Sequence, residues 1–226
     1  GVKAEDIDIK DGKAFIKSDP GKSMPFSSLA RIAYYAGVNA AIIGRGYDTY
    51  EKKPMDIEKG YGYVGVSLSF TAQEAEVEVD IETGQVRCTD TTIAHDCGRP
   101  LNPMAVEGQI DGGSIMGLGQ ALYEDFIMKK GKTLNTTFLD YKMPRSIDVP
   151  TTKIIHVITG DPLAPFGAKE CGEGTGISAP SAVVSAIHDA TGIWFKELPV
   201  TPGKVWEALK ERRSSQKVKN MKMVSD

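Results

Sequence analysis

Hydrophobic and polar positions alternate most clearly around residue 79, where Val77, Val79 and Ile81 are interleaved with Glu76, Glu78, Asp80 and Glu82. A period of two is that of a strand with one face buried and the other in water. Thr83-Gly84 turns the chain, and residues 85–94 return it as an antiparallel partner. Upstream, Tyr63, Val64, Val66, Leu68 and Phe70 extend this β-prone composition back to about Tyr61. Two shorter apolar runs, 7–10 and 14–17, flank Asp11-Gly12-Lys13 and predict a hairpin. A further strand is expected over 153–159.

Helical spacing marks four segments. Ser27 opens the first, with Leu29, Ile32, Ala33 and Ala36 ahead of a stop at Gly37. Asn102-Pro103 opens the second, with Asn as cap and Pro at the first helical position, running to about Glu124. Ser178 is the expected cap of the third, whose Val183, Val184, Ile187 and Ala190 share a face before Gly192. Thr201-Pro202 opens the last, with Val205, Trp206 and Leu209. Strands and helices mix without a strict βαβ rhythm, so the expected class is α+β, with mixed, largely antiparallel sheets and packed helices. Three stretches are expected: a lead-in over 1–60, the main body over 61–210, and a polar, mobile tail over 211–226.

Composition narrows the function classes. Hydrophobic content of 41% and charged content of 25% are those of an ordinary globular chain. A formal net charge of −3 offers no attraction to a nucleic-acid backbone or an anionic lipid surface. No apolar run approaches the ~20 residues of a membrane span. The first residues, Gly1 to Asp6, lack the pattern of a secretory leader, so the expected location is cytoplasmic. Cys88, Cys97 and Cys171 are widely spaced and read as free thiols, and His95, His156 and His188 are isolated. No pair has the spacing of a protein-ligated zinc or iron site.

Two segments carry candidate chemistry. The second helix holds Gly108, Gly112, Gly113, Gly117 and Gly119, each less favourable there than Ala by about 0.8–1 kcal/mol. Gly108, Gly112 and Gly119 fall on one face, and Gln109, Gly113 and Gly117 on an adjacent one. Such a bare face suits either tight helix packing or a ligand lying against the N-terminal half, where Gln109 could hydrogen-bond it. The second segment, 167–176, is a Gly-rich loop between a strand and a helix. Its spacing is not that of a phosphate loop, and Glu173 would put a carboxylate where a phosphate should sit. Glu173, between Gly172 and Gly174, reads either as an exposed loop glutamate or as a general base with room for substrate on both sides.

Residues 95–103, His-Asp-Cys-Gly-Arg-Pro-Leu-Asn-Pro, running into 106–113, resemble the C-terminal molybdopterin-binding region of the xanthine dehydrogenase/aldehyde oxidoreductase family of molybdenum hydroxylases. So do 140–144, the loop from Gly167-Ala168-Lys169 to Gly172-Glu173, Ala179-Pro180, and 198–202, in that order and spacing. The resemblance implies that Glu173 is the base beside the molybdenum. It also implies that Gln109, with Gly108, Gly112, Gly113, Gly172 and Lys169, lines the molybdopterin, present as such or as a cytosine dinucleotide. The metal is then held by the pterin dithiolene and needs no protein ligand. The reaction class is hydroxylation, or reductive dehydroxylation, of an aromatic, heteroaromatic or aldehyde substrate. The Gly-Ala-Lys-Glu form at 167–170 is similar to the 4-hydroxybenzoyl-CoA reductase branch, and Glu170 is expected to pair with Lys169. The rest of the pterin pocket, the [2Fe-2S] clusters and the FAD are expected on partner chains. The alternative is a non-catalytic assembly subunit of such a complex.

Overall fold

In a computed structural model the described residues are 1–35, 45–47, 55–62, 65 and 67–223, with side chains described as far as residue 215. They divide into two compact units, Gly1–Glu51 and Lys52–Asp226. Among the described residues no helix is long and apolar enough to cross a membrane.

In the first unit β1 (Ile7–Lys10) and β2 (Lys13–Ile16) form the expected hairpin, closed by the pair Lys10 and Lys13. Asp11 and Gly12 both take positive φ, +50° and +71°, the tight two-residue turn whose twist matches its strands. β3 (Asp19–Pro25) adds antiparallel to β2 at the sheet edge. Its Pro20 and Gly21 and its lack of alternation hid it from pattern reading, and an edge is where a strand tolerates Pro. The helix α1 (Phe26–Tyr35) begins next to the expected Ser27, while Ala36 and Gly37 lie outside the described residues.

In the second unit β4 (Phe70–Val79) and β5 (Val86–Asp96) make the long antiparallel hairpin. Thr71, Gln73, Ala75, Val77 and Val79 point inward, and Glu74, Glu76 and Glu78 face water. Of the run expected from Tyr61, Tyr63, Val64 and Val66 lie outside the described residues, and Leu68 precedes the strand. After β5 come α2 (Pro103–Leu122), a small hairpin of β6 (Met128–Lys129) and β7 (Lys132–Thr133), and then β8 (Thr151–His156). β8 pairs parallel with β5, giving a mixed sheet of order β4-β5-β8. α3 (Gly174–Thr191) is closed by Gly192, and α4 (Pro202–Met223) continues through the segment expected to be a mobile tail. Lys, Arg, Gln and Met are good helix formers, so a polar composition does not by itself end a helix.

The main core lies between α2, α3 and α4. Leu118, Ala121, Leu122, Val183, Ile187, Val205 and Leu209 fill it, with Cys88 of β5. A second cluster of Ile93, Cys97, Val106 and Ile110 seats the N-terminal half of α2 on β5. These two cores fix where α2 and the start of α3 meet. The class is α+β.

α2 and α3 approach closely through glycine. A Cβ on Gly117 would lie 2.6 Å from both the Ala179 Cβ and the Gly176 carbonyl oxygen. Pro180 has no N–H to give that carbonyl, so α3 is open there to an approaching neighbour. Gly113 faces Thr175, whose hydroxyl would collide with any Cβ at that position. Both glycines are buried. Tight helix packing is therefore the correct account of this half of the glycine pattern.

Candidate active site

The C-terminal end of β5 anchors the glutamate loop. The Lys169 amide donates to the Cys97 carbonyl (2.7 Å) and the Arg99 amide to the Gly167 carbonyl (2.9 Å). Gly98, between them, has φ +66°, and a Cβ there would strike the Gly167 carbonyl oxygen. Only glycine combines that backbone angle with that approach. On the other side, Val157 N–H donates to the His95 carbonyl (3.0 Å), so β8 and the loop are tied to the same short stretch.

Lys169 is committed inside this structure. Its Nζ donates to Asp96 Oδ2 (2.6 Å), Thr159 Oγ1 (3.0 Å) and the Leu68 carbonyl (3.0 Å). Three acceptors use the three hydrogens of an ammonium, leaving no donor for the cofactor contact expected of Lys169. The expected pair with Glu170 is likewise replaced by a pair with Asp96, in which both side chains are 7% exposed. Burial pushes the Asp96 carboxyl up, but hydrogen bonds from Lys169, Thr159 and the Gly98 amide outweigh it and hold it at about 2. This lies below its ordinary value of 3.8, so the stabilisation is complete above about pH 4 and is lost as pH falls through 2. Lys169→Met is expected to destabilise the fold by about 3–5 kcal/mol at neutral pH, because it strands a buried carboxylate. Guanidinium unfolding should show that difference shrinking between pH 4 and pH 2. A constant difference would contradict the assignment.

Glu170 instead serves the start of α3. Its Oε1 accepts the Glu173 amide (2.5 Å), and the amides of Gly174 and Gly172 also point to its carboxylate. Its Oε2 accepts the Ser69 hydroxyl (2.5 Å). Burial pushes Glu170 up, yet these donors leave it below the ordinary carboxylate range. The first amides of a helix have no internal acceptors, and the helix dipole favours an anion there. With that place filled, α3 starts at Gly174, four residues before the expected cap. Ser178 lies inside the helix and donates to Gln73 Oε1 (2.9 Å), while Gln73 Nε2 donates to Ser114 Oγ (2.8 Å). This chain of amide and hydroxyls links α3, β4 and α2.

Glu173 therefore has a helical backbone and an idle side chain. It occupies the N-cap position, φ −94° and ψ −32°, without capping through its carboxylate. It is exposed, and among the described residues that carboxylate makes no hydrogen bond or ion pair. Behind it, His95 is completely buried, with Nδ1 2.6 Å from Thr71 Oγ1. The ring lies under Gly174, 3.2 Å from where a Cβ would sit. Across from it, the Gln109 Oε1 lies 3.8 Å from the Cβ position of Gly172, the residue before Glu173. Gln109 and the glutamate loop thus share one surface.

Gly119 is also buried, against Glu124 and Pro144, but the two N-terminal glycines of α2 behave differently. Gly108 and Gly112 are exposed, and a Cβ on either would meet nothing within 4 Å. They flank Gln109 and leave a bare strip of helix backbone beside it. Of the residues expected to line a cofactor, Gly108, Gln109, Gly112 and Gly172 adjoin this surface. Gly113 is sealed beneath α3, and Lys169 is bound to Asp96. Pattern reading missed Asp96, Glu170 as a cap, Ser69 and Thr71. A weak signal was available only for Asp96, two residues before Gly98 in the segment that meets the loop. Cys88, Cys97 and Cys171 are free thiols, and burial pushes Cys88 up to about 11.

Comparison with known proteins identifies the family of the chain. The family model for a molybdopterin cofactor-binding domain matches residues 1–150. The chain is 33% identical over 217 residues to the nicotine 6-hydroxylase large subunit of Paenarthrobacter nicotinovorans, covering 91% of this chain and 25% of that one. It is 36% identical over 141 residues to the xanthine dehydrogenase molybdenum-binding subunit of Escherichia coli O157:H7, covering 62% and 19%. Among solved structures, quinoline 2-oxidoreductase from Pseudomonas putida 86 superposes with a TM-score of 0.71 at 34% identity, over 93% of this chain and 26% of that one. The aldehyde oxidoreductase of Desulfovibrio gigas gives 0.59 at 38% identity, over 63% and 15%. The chain spans about a quarter or less of these relatives.

Proposed function

This chain belongs to the molybdopterin-binding part of the molybdenum hydroxylase family, and from that premise we propose that its α2–α3 surface is the catalytic face of a larger oxidoreductase, with Glu173 as general base. The observation that carries the reading is the idle carboxylate of Glu173, held on a fixed helix start beside Gln109 and an open glycine strip. The residues present fit a flat, hydrogen-bonding cofactor. The bare backbone at Gly108 and Gly112 admits a ring system that a side chain would block, and the Gln109 amide can both donate and accept. When bound, the molybdenum–pterin group supplies the redox centre that takes electrons from the substrate.

This chain's own residues then have separate tasks. Gln109 orients the pterin edge through Nε2–H and Oε1. Glu173 takes the proton of the oxygen nucleophile onto a carboxylate oxygen as that nucleophile attacks an electron-poor carbon. Gly172, which puts no side chain between Gln109 and the loop, keeps the approach to that oxygen clear. The proposed substrate is an aromatic, heteroaromatic or aldehyde molecule, in keeping with relatives named for nicotine, quinoline and aldehydes. The remaining pterin pocket, the [2Fe-2S] clusters and the FAD belong, on this reading, to the rest of the assembly.

Gly112→Leu in the whole assembly tests the cofactor surface. A Cβ there has nothing within 4 Å, and leucine improves helix propensity over glycine by roughly 0.8 kcal/mol. The fold should therefore stand while molybdenum and pterin content falls severalfold. Unchanged content would remove the cofactor from this face.

A further inference from the structure

We propose that Glu170 is the positioning residue for Glu173, clamping the first amides of α3 so that the neighbouring carboxylate stays free and fixed; the inference rests on Glu173 acting as the base. The loop contains two carboxylates three residues apart, and the amides at the helix start need an acceptor. Here the earlier one supplies it. Glu170 Oε1 takes the Glu173 amide at 2.5 Å, and the Gly172 and Gly174 amides converge on the same carboxylate.

Three features keep that arrangement in place. Ser69, just before β4, donates its hydroxyl to Glu170 Oε2 at 2.5 Å and fixes the far oxygen. Lys169, the adjacent cation, cannot draw Glu170 away, because Asp96, Thr159 and the Leu68 carbonyl use its ammonium. Gly174 lies against the Thr71–His95 pair, with Thr71 Oγ1 2.8 Å from where a Cβ would sit, so the helix start cannot settle inward. The result divides two jobs between two carboxylates. Glu170 satisfies the backbone, and Glu173 is left with no intramolecular partner among the described residues.

The test uses the intact assembly with Glu170→Ala, Glu170→Gln and Ser69→Ala, and Glu173→Ala as reference. Amide hydrogen exchange at residues 172–174 should accelerate about ten- to a hundredfold in Glu170→Ala, the loss expected when bonds to a charged acceptor go. Its kcat should fall roughly tenfold or more, with KM and molybdenum content near those of the parent, because a displaced base slows chemistry without loosening binding. Glu170→Gln retains an oxygen for the amides and should recover most of both signals. Ser69→Ala, which leaves the loop backbone untouched, should give a smaller change in the same direction and covers the case in which Glu170→Ala does not fold. Unaltered exchange at 172–174 would overturn the clamp. Parental kcat in Glu170→Ala, alongside an inactive Glu173→Ala, would overturn its catalytic relevance while leaving the base in place. An active Glu173→Ala would instead remove the base itself.

Discussion

Replacing Glu173 with alanine in the assembled enzyme is expected to lower kcat by about 10²- to 10⁴-fold, the range a positioned general base supplies. Molybdenum and pterin content should stay near normal. The side chain is exposed and among the described residues bonds to nothing, so its removal should change stability by no more than about 0.5 kcal/mol. Glu173→Gln should be nearly as inactive, since an amide keeps the shape but cannot take the proton. Steady-state kinetics with metal analysis on the same preparations checks both. Retained turnover would refute the role given to Glu173. An equal loss of metal would mean that the residue holds the cofactor instead.

The second large effect is structural. Gly117→Val should destabilise the chain by about 3 kcal/mol or more, against the roughly 0.8 kcal/mol that valine or alanine gains over glycine at most within a helix. The clash wins because the opposing atoms, Ala179 Cβ and the Gly176 carbonyl, belong to or sit next to backbone and cannot rotate away. α2 and α3 would separate where they set Gln109 beside the glutamate loop, so cofactor content should fall with stability. Gly108→Ala, on the open face, should stabilise the helix by about 0.8 kcal/mol instead. Chemical denaturation of the two variants gives opposite signs if the glycines of α2 divide as described. Equal signs would contradict that division.

What was legible in the sequence was what local physics determines. The alternation at 76–79 gave β4 its two faces, and Asn102 caps α2 as expected, accepting the Ala105 amide at 3.2 Å. The Asp11-Gly12 turn and the stop at Gly192 follow from backbone preference alone. The errors came from partners distant along the chain. Lys169 meets Asp96 across 73 residues, and Ser69 meets Glu170 across 101, and no spacing rule reports either contact. Ser178 looked like a helix cap because a serine ahead of an apolar face usually is one. Glu170 had already taken that task, so α3 could begin earlier. The glycine pattern of α2 by itself suits either packing or ligand approach. The structure assigns packing to Gly113 and Gly117 and leaves Gly108 and Gly112 open.

The most direct measurement is an anomalous difference map of the loaded assembly, collected at a molybdenum absorption edge. A single peak should lie in front of the Glu173 carboxylate, with the pterin against Gln109 and the strip at Gly108 and Gly112. A molybdenum peak away from that surface, with Glu173 and Gln109 facing solvent or another subunit, would contradict the account.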